Sequence, residues 1–323
     1  MKTLLITDLH FNDSQRGLLE SQKKCIKRIF YEEEPDEVII MGDLMMRRKP
    51  SPSVLLALQD IIKYMYDGGA DLYILRGNHD SETKADDGIT ALSLFDPYAK
   101  IITQTWTDNK RKRVFIPHYE NEEIIKEGLD KAPDNYTVFG HFGYNGCLNS
   151  AGDADFSLRL SGFRNRTYLG HVHGHNRSKN VTILGTPYST NFGEAKKENF
   201  YGIIVEDKVE FKKITHGPRH IVLEYKDIEE SMEILDDKNY FTMLRIMLDN
   251  TDQDLNYEDL RSLVAHLDIK FKPSFDEEQV STYNPSRDLF SINEAILSDY
   301  IAGTTTDLTE DDIWQGYNLL RGD

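Results

Sequence analysis

Leu72-Tyr73-Ile74-Leu75-Arg76-Gly77-Asn78-His79-Asp80 is a strand-length apolar run that stops abruptly in a glycine followed by three side chains able to bind metal or carry protons. The same grammar recurs along the first half of the chain. Thr3-Leu4-Leu5-Ile6-Thr7 leads into Asp8-Leu9-His10, and Glu37-Val38-Ile39-Ile40-Met41 leads into Gly42-Asp43. Tyr136-Thr137-Val138-Phe139 leads into Gly140-His141, and Thr167-Tyr168-Leu169 into Gly170-His171-Val172-His173. Short β-branched or apolar runs bounded by glycine read as buried strands, so the chemistry sits where the strands stop. Alternate residues of a strand share a face, which lets Asp8 and His10 address one point together. Glycines ahead of Asp43, Asn78, His141 and His171 allow a sharp turn and a close backbone approach at each strand end.

Between the strands lie helical patterns, about residues 17–32 and 52–66, the latter opened by Ser51 as N-cap with Pro52 at the first helical position. Strand and helix alternate, which implies a layered α/β fold with ligands near the strand ends. Farther on, Tyr201-Gly202-Ile203-Ile204-Val205 and Val209-Glu210-Phe211-Lys212-Lys213-Ile214 flank Glu206-Asp207-Lys208, a hairpin expected to finish a second sheet. Gly217-Pro218 is a boundary. Strand patterns at 220–225 and 240–248 and a helical one at 257–266 then predict a small α+β unit, followed by helices at 291–301 and 310–320. The expected division is a catalytic domain over residues 1–218, a capping domain over 219–280 and a helical segment over 281–323.

The net charge of −17 is unevenly spread: residues 220–323 hold 8 Lys and Arg against 24 Asp and Glu, whereas the preceding part is close to neutral. Such an acidic tail repels a polyanion, so charge alone does not make this chain a strong DNA binder. Cys25 and Cys147 are far apart and in no CxxC spacing, which argues against both a disulfide framework and a thiolate zinc site. No apolar run is long enough to span a membrane, and Met1-Lys2 runs straight into a strand pattern. The expected location is cytoplasmic, or the host cytoplasm if the chain is phage-encoded.

A lone Asp after a strand is usually a helix cap and a lone His usually a satisfied core residue, but five such clusters in order do not arise that way. Aspartate, histidine and asparagine together offer oxygen and imidazole donors without thiolate, a set that suits Mn, Fe or Zn. These motifs resemble the calcineurin-like metallophosphoesterase superfamily, whose signature DxH, GD, GNH[DE], H, GHxH is matched in full across residues 8 to 173. The resemblance implies a four-layer β-sandwich flanked by helices with a smaller capping domain. It further implies two divalent ions, manganese as first choice, with Mg, Fe or Zn as alternatives. Asp8, His10 and His173 would hold one ion, Asn78, His141 and His171 the other, with Asp43 bridging. His79 would act on the substrate, and Asp80 is expected to orient its imidazole.

Within the superfamily the chain is similar to SbcD-type nucleases, DNA exonuclease subunits that work with a coiled-coil ATPase related to SbcC and the Rad-fifty family. Gly42-Asp43-Leu44-Met45-Met46-Arg47-Arg48 departs from the VDRG continuation of the protein phosphatase branch, and Met46 stands where many nuclease relatives carry His or Asp. The resemblance implies a DNA substrate, exo- and endonuclease activity in end processing, repair or recombination, and a homodimer through helices at 52–66 and 89–98. It also implies docking of a C-terminal helix on the ATPase. A small-molecule phosphodiesterase or phosphomonoesterase is the alternative within the class. Arg47-Arg48-Lys49, next to the bridging carboxylate, are candidate contacts to DNA phosphates. Lys110-Arg111-Lys112-Arg113 reads as a solvated hairpin tip, and His118 and His175 as loop histidines without a role.

Overall fold

The computed structural model describes residues 1–147, 157–249 and 257–272, and Met1–Lys272 is one compact unit. The helical patterns beyond residue 280 lie outside the described residues. The chain opens with β1 (Lys2–Ile6), α1 (Leu18–Glu33), β2 (Glu37–Ile40), α2 (Pro52–Asp67), β3 (Asp71–Leu75) and β4 (Lys100–Ile102). Strand β1 pairs in parallel with β2, β2 with β3 and β3 with β4. Helix α2 begins as its sequence predicts: Pro52 leads, and the Ser51 hydroxyl accepts from the Val54 amide.

A second run follows: β5 (Trp106–Asp108), β6 (Arg113–Ile116), α3 (Glu122–Lys131), β7 (Thr137–His141), β8 (Thr167–Gly170), β9 (Asn176–Ser178) and β10 (Val181–Ile183). These strands form a separate six-stranded sheet in the order β5-β6-β7-β8-β10-β9. The hairpin β11 (Phe200–Val205) and β12 (Lys208–Lys213) then returns to the first sheet, not to this second one, because β11 pairs antiparallel with β1 from Leu5↔Gly202 to Lys2↔Val205. The first sheet is thus β12-β11-β1-β2-β3-β4.

Side-chain alternation explains the layers. Leu4, Ile6, Val38 and Ile40 face α1 and α2 in one core, while Leu5, Ile39 and Met41 face Phe115, Phe139 and Tyr168 of the other sheet in the central core. Val114, Ile116 and Val138 turn outward onto Ile125 and Leu129 of α3. The order is therefore helices, sheet, sheet, helix, with both parallel sets ending at the same rim. A smaller unit follows, β13 (Gly217–Glu224), α4 (Ile228–Leu235), β14 (Tyr240–Leu248), α5 (Tyr257–Leu263) and β15 (His266–Phe271), whose three strands all run parallel. The basic stretch at 110–113 is a hairpin turn, but Arg113 is buried against Glu37 and Arg111 meets Glu37 and Asp71, so two of its four cations serve the fold.

Glu33, at the end of α1, ties the layers on the far side. Its carboxylate meets Lys2 Nζ at 2.7 Å and Lys212 Nζ at 2.8 Å, and accepts from the Tyr201 hydroxyl at 2.6 Å. Burial alone would raise its pKa, but these three donors outweigh burial and hold it down at about 2. A depressed carboxylate stabilises above its unfolded pKa and loses that contribution as pH falls through the folded value. Glu33→Gln is therefore expected to cost roughly 2 kcal/mol at neutral pH, with the gap to wild type closing between about pH 4.3 and pH 2. Urea melts at pH 7 and pH 3 check this, and an equal gap at both would refute it.

Candidate active site

The strand ends of β1, β2 and β3 from one sheet and of β7 and β8 from the other meet at a common rim. Immediately past β1, the Asp8 and His10 amides donate to the Gly42 and Asp43 carbonyls at 2.9 and 3.0 Å, so the two loops run side by side. Asp8, His10, Asp43 and His171 all have positive φ, of 53°, 43°, 52° and 81°. Left-handed backbone in non-glycine residues costs energy that the surrounding structure must impose, and four cases in one cluster mark a functional site. This also corrects the strand-alternation argument for Asp8 and His10: they converge through left-handed turns after the strand has ended.

The nine expected residues come together as follows. Ligand-capable atoms of Asp8, His10 and His173 lie within 4.8 Å of one another, as do those of Asp43, His141 and His171, and those of His10, Asp43 and His79. His10 Nε2 and His173 Nε2 face each other at 3.0 Å, with Asp8 Oδ1 3.8 Å and Asp43 Oδ2 3.7 Å from His10. On the other side Asn78 Oδ1 lies 2.9 Å from His171 Nδ1 and 3.2 Å from His141 Nε2, and Asp43 Oδ2 lies 3.4 Å from His141. Asp43 thus stands between the two groups.

Hydrogen bonds fix which atoms face inward. His141 Nδ1 donates to the Met41 carbonyl at 2.6 Å, which turns Nε2 inward, where Asp43 outweighs burial and raises the imidazole's pKa to about 9. His173 Nδ1 donates to Glu194 Oε1 at 2.5 Å, which likewise turns Nε2 inward. Burial, the largest influence on His10, keeps its imidazole neutral with a pKa of about 4. Burial would raise Asp43, but His141, His10 and His79 around it hold the carboxylate well below the usual range. Imidazole lone pairs and carboxylates aimed at shared points, two imidazole nitrogens 3.0 Å apart among them, are the arrangement that divalent cations satisfy. The donor set fits such ions.

Two expectations change. Asp80 does not orient His79: its carboxylate accepts from the Gly77, Leu44 and Met45 amides at 2.9, 3.0 and 3.1 Å, stapling the loops after β2 and β3 together. Burial, helped by the charge of Asp43, pushes its pKa up to about 7. The His79 imidazole donates through Nδ1 to the Met46 carbonyl at 2.8 Å, so the backbone at the departed His or Asp position orients it. In the basic cluster, Arg48 is committed to the Ser81 and Thr83 carbonyls and to Glu120, leaving Arg47 and Lys49 exposed at the rim.

One residue escaped the sequence reading, and the reading of another, His118, changes. Glu194 is buried and also accepts from the Thr190 amide at 2.7 Å, and hydrogen bonds from His173 and Thr190 outweigh burial to hold its pKa at about 2. No motif announces it. His118 stacks on His171 with ring centroids 5.5 Å apart, and so belongs to the site's wall rather than to a free loop. Glu194→Gln is expected to weaken divalent-cation affinity at the neighbouring cluster by about 10–100-fold, since partners that orient ligating histidines carry effects of that size. Calorimetric titration with Mn on the full chain reads this directly, and unchanged affinity would rule out the orienting role.

Two facing mixed sheets gather Asp, Asn and His where their strands end, and the chain belongs to the calcineurin-like phosphoesterase family, whose model matches residues 1–176. Members of that family use divalent metal ions. Over 178 residues the chain is 28% identical to the DNA double-strand break repair protein Mre11 of Methanocaldococcus jannaschii, a match covering 51% of this chain and 47% of that protein. The chain thus matches about half the length of this relative. Among solved structures it is similar to the cold-active protein-tyrosine phosphatase of a psychrophile, Shewanella sp., at 12% identity and a TM-score of 0.34, covering 66% of this chain and 80% of that one. A further structure of a cold-active protein tyrosine phosphatase gives 12% identity and a TM-score of 0.33, with 66% and 78% covered. Among the described residues no helix is long and apolar enough to cross a membrane.

Proposed function

We propose that this chain is a metal-dependent DNA nuclease subunit that hydrolyses phosphodiester bonds in end processing, repair or recombination together with a coiled-coil ATPase. The observation that carries the reading is the convergence of Asp8, His10, Asp43, Asn78, His141, His171 and His173 at one rim. Asp8, His10 and His173 would hold one ion, Asn78, His141 and His171 the second, and Asp43 both, with manganese the first choice. Bound there, two divalent ions neutralise phosphate charge and lower the pKa of water. The chain's own residues do the rest. Asp43 sets the spacing of the two groups, Glu194 and the Met41 carbonyl fix the rings of His173 and His141, and His79 faces the reacting phosphate. As an imidazolium it donates a proton to the departing oxygen.

The DNA substrate is supported by the similarity to a double-strand break repair protein and by the exposed Arg47 and Lys49 beside the bridging carboxylate. Exposed Leu56 and Tyr66 on α2, and Ile89 and Leu94 after it, are apolar side chains that a homodimer through these segments would cover. The division at residues 218 and 280, ATPase docking by the helical segment and a cytoplasmic location belong to the same reading. Incubating the full chain with Mn and linear single- or double-stranded DNA, beside bis-p-nitrophenyl phosphate, tests it. The expected result is metal-dependent shortening of DNA. Cleavage of the small ester alone, with DNA intact even when the ATPase is present, would instead assign a small-molecule phosphodiesterase or phosphomonoesterase.

A further inference from the structure

Glu194, which holds the outer nitrogen of His173, stands on a connection whose regular structure is one short 3-10 turn, Phe192–Glu194, capped by the Asn191 side chain. The carboxylate is gripped from within that turn, by the Thr190 amide at 2.7 Å, the Thr190 hydroxyl at 3.0 Å and the Asn191 side-chain amide at 3.1 Å. Those bonds fix Glu194 relative to its own turn. They do not fix the turn relative to His173. At its root the buried Tyr188 hydroxyl donates to the Leu9 carbonyl, which ties the connection to the two-sheet body. A short surface turn buries little apolar area of its own, so the position of its tip depends on what neighbours it.

The three-stranded unit is that neighbour. The Ser189 hydroxyl accepts from the His220 amide at 2.7 Å and faces His220 Nδ1 at 3.0 Å. Burial keeps this imidazole neutral, with a pKa of about 4, so the hydroxyl donates to it in turn. Phe192 lies against the same sheet, with the Arg245 guanidinium 4.0 Å over its ring and the His220 ring edge-on at 4.7 Å. Arg245 is itself fixed, because Asp268, its partner in register across β14 and β15, takes Nε and Nη2 on one carboxylate oxygen, each at 2.6 Å. A continuous line of contacts therefore runs from Asp268 through Arg245 and Phe192 to Glu194 and His173. On the other side of Asp43 the fixing group of His141 is the Met41 carbonyl, which belongs to the two-sheet body.

Resting on the two-ion part of the reading above, we propose that Phe192 and Arg245 are positioning residues: by holding the turn that carries Glu194, the three-stranded unit sets the affinity of the ion expected at Asp8, His10 and His173, and of that ion alone. Calorimetric titration of the full chain with Mn, with a urea melt of each metal-free variant alongside, tests it. Phe192→Ala and Arg245→Met are expected to weaken one of the two Mn-binding steps about ten-fold, the lower end of what partners of ligating histidines carry, and to leave the other step unchanged. Arg245→Lys, which keeps a cation for the ring, is expected to recover most of that loss. Because the effect runs through Glu194, Phe192→Ala is expected to add nothing in a Glu194→Gln background. Equal weakening of both steps, in proportion to the stability lost, would reduce these contacts to ordinary packing and overturn the proposal. Unchanged Mn affinity would overturn it too, as would a full ten-fold loss on top of Glu194→Gln. A wild-type chain that binds fewer than two Mn ions would remove the two-ion reading itself, and the proposal with it.

Discussion

Asp43→Asn is expected to lower metal-dependent hydrolysis by at least about 10³-fold, the largest single effect of any substitution in the site. The carboxylate is buried, lies 3.7 Å from His10 and 3.4 Å from His141, and accepts the His79 amide at 2.8 Å, so it touches both halves of the cluster and the catalytic loop. The amide keeps the size but removes the charge between two sets of cation ligands. Metal content measured on the purified variant should therefore fall as well. His79→Gln supplies the contrast: a loss of about 10²–10⁴-fold in kcat with metal content retained, as for removal of a positioned proton donor. An Asp43→Asn protein that keeps both ions and most of its activity would end the bridging assignment.

Gly77→Ala is expected to be nearly as damaging, although it adds one methyl and removes no functional group. A Cβ built there would overlap Asp43 Oδ1 and its main-chain nitrogen and lie 2.8 Å from Cγ. The neighbour that must yield is the central carboxylate together with rigid backbone, so the strain falls on the geometry of the site. A displacement of about 1 Å in such a constellation costs on the order of 10²-fold in rate, alongside about 1–3 kcal/mol of stability. Gly69→Ala is the natural control, because it carries a positive φ of 88°, which Gly77 does not, but meets nothing within 4 Å. It should cost about 1 kcal/mol of stability and no activity. Equal activity in the two alanine variants would show that the close approach at Gly77 is not what holds Asp43.

The parts of this protein legible in its sequence are those written by short-range physics. Apolar runs of strand length that stop at glycine placed β1, β2, β3, β7 and β8 within a residue or two, and Ser51-Pro52 announced the start of α2. The motif clusters were legible because a strand end is the one place where aspartate, asparagine and histidine can be both buried and convergent. Where the hairpin β11–β12 attaches was not legible. Its alternation specifies two faces, but the choice of sheet depends on which edge is open, and the edge beside β1 is 200 residues away in sequence. Glu194 was hidden for a related reason: an orienting carboxylate obeys no spacing rule, only proximity to the outer nitrogen of His173. Asp80 misled because its neighbour in sequence, His79, is not its neighbour in hydrogen bonding.

The ligand-capable residues follow strands of both sheets, with Asp8, His10, Asp43 and Asn78 after β1, β2 and β3 and His141, His171 and His173 at β7 and β8. Cations held between them would act as rivets through the sandwich, joining layers that otherwise cohere through apolar packing and the ion pairs of Arg111 and Arg113 with Glu37 and Asp71. A cation at 100 times its dissociation constant adds about 2.7 kcal/mol to the folded state of a single-site protein. The same ions that make the rim reactive would then be fasteners, and starving the protein of metal would loosen the two sheets from one another first at the end where the chemistry is done.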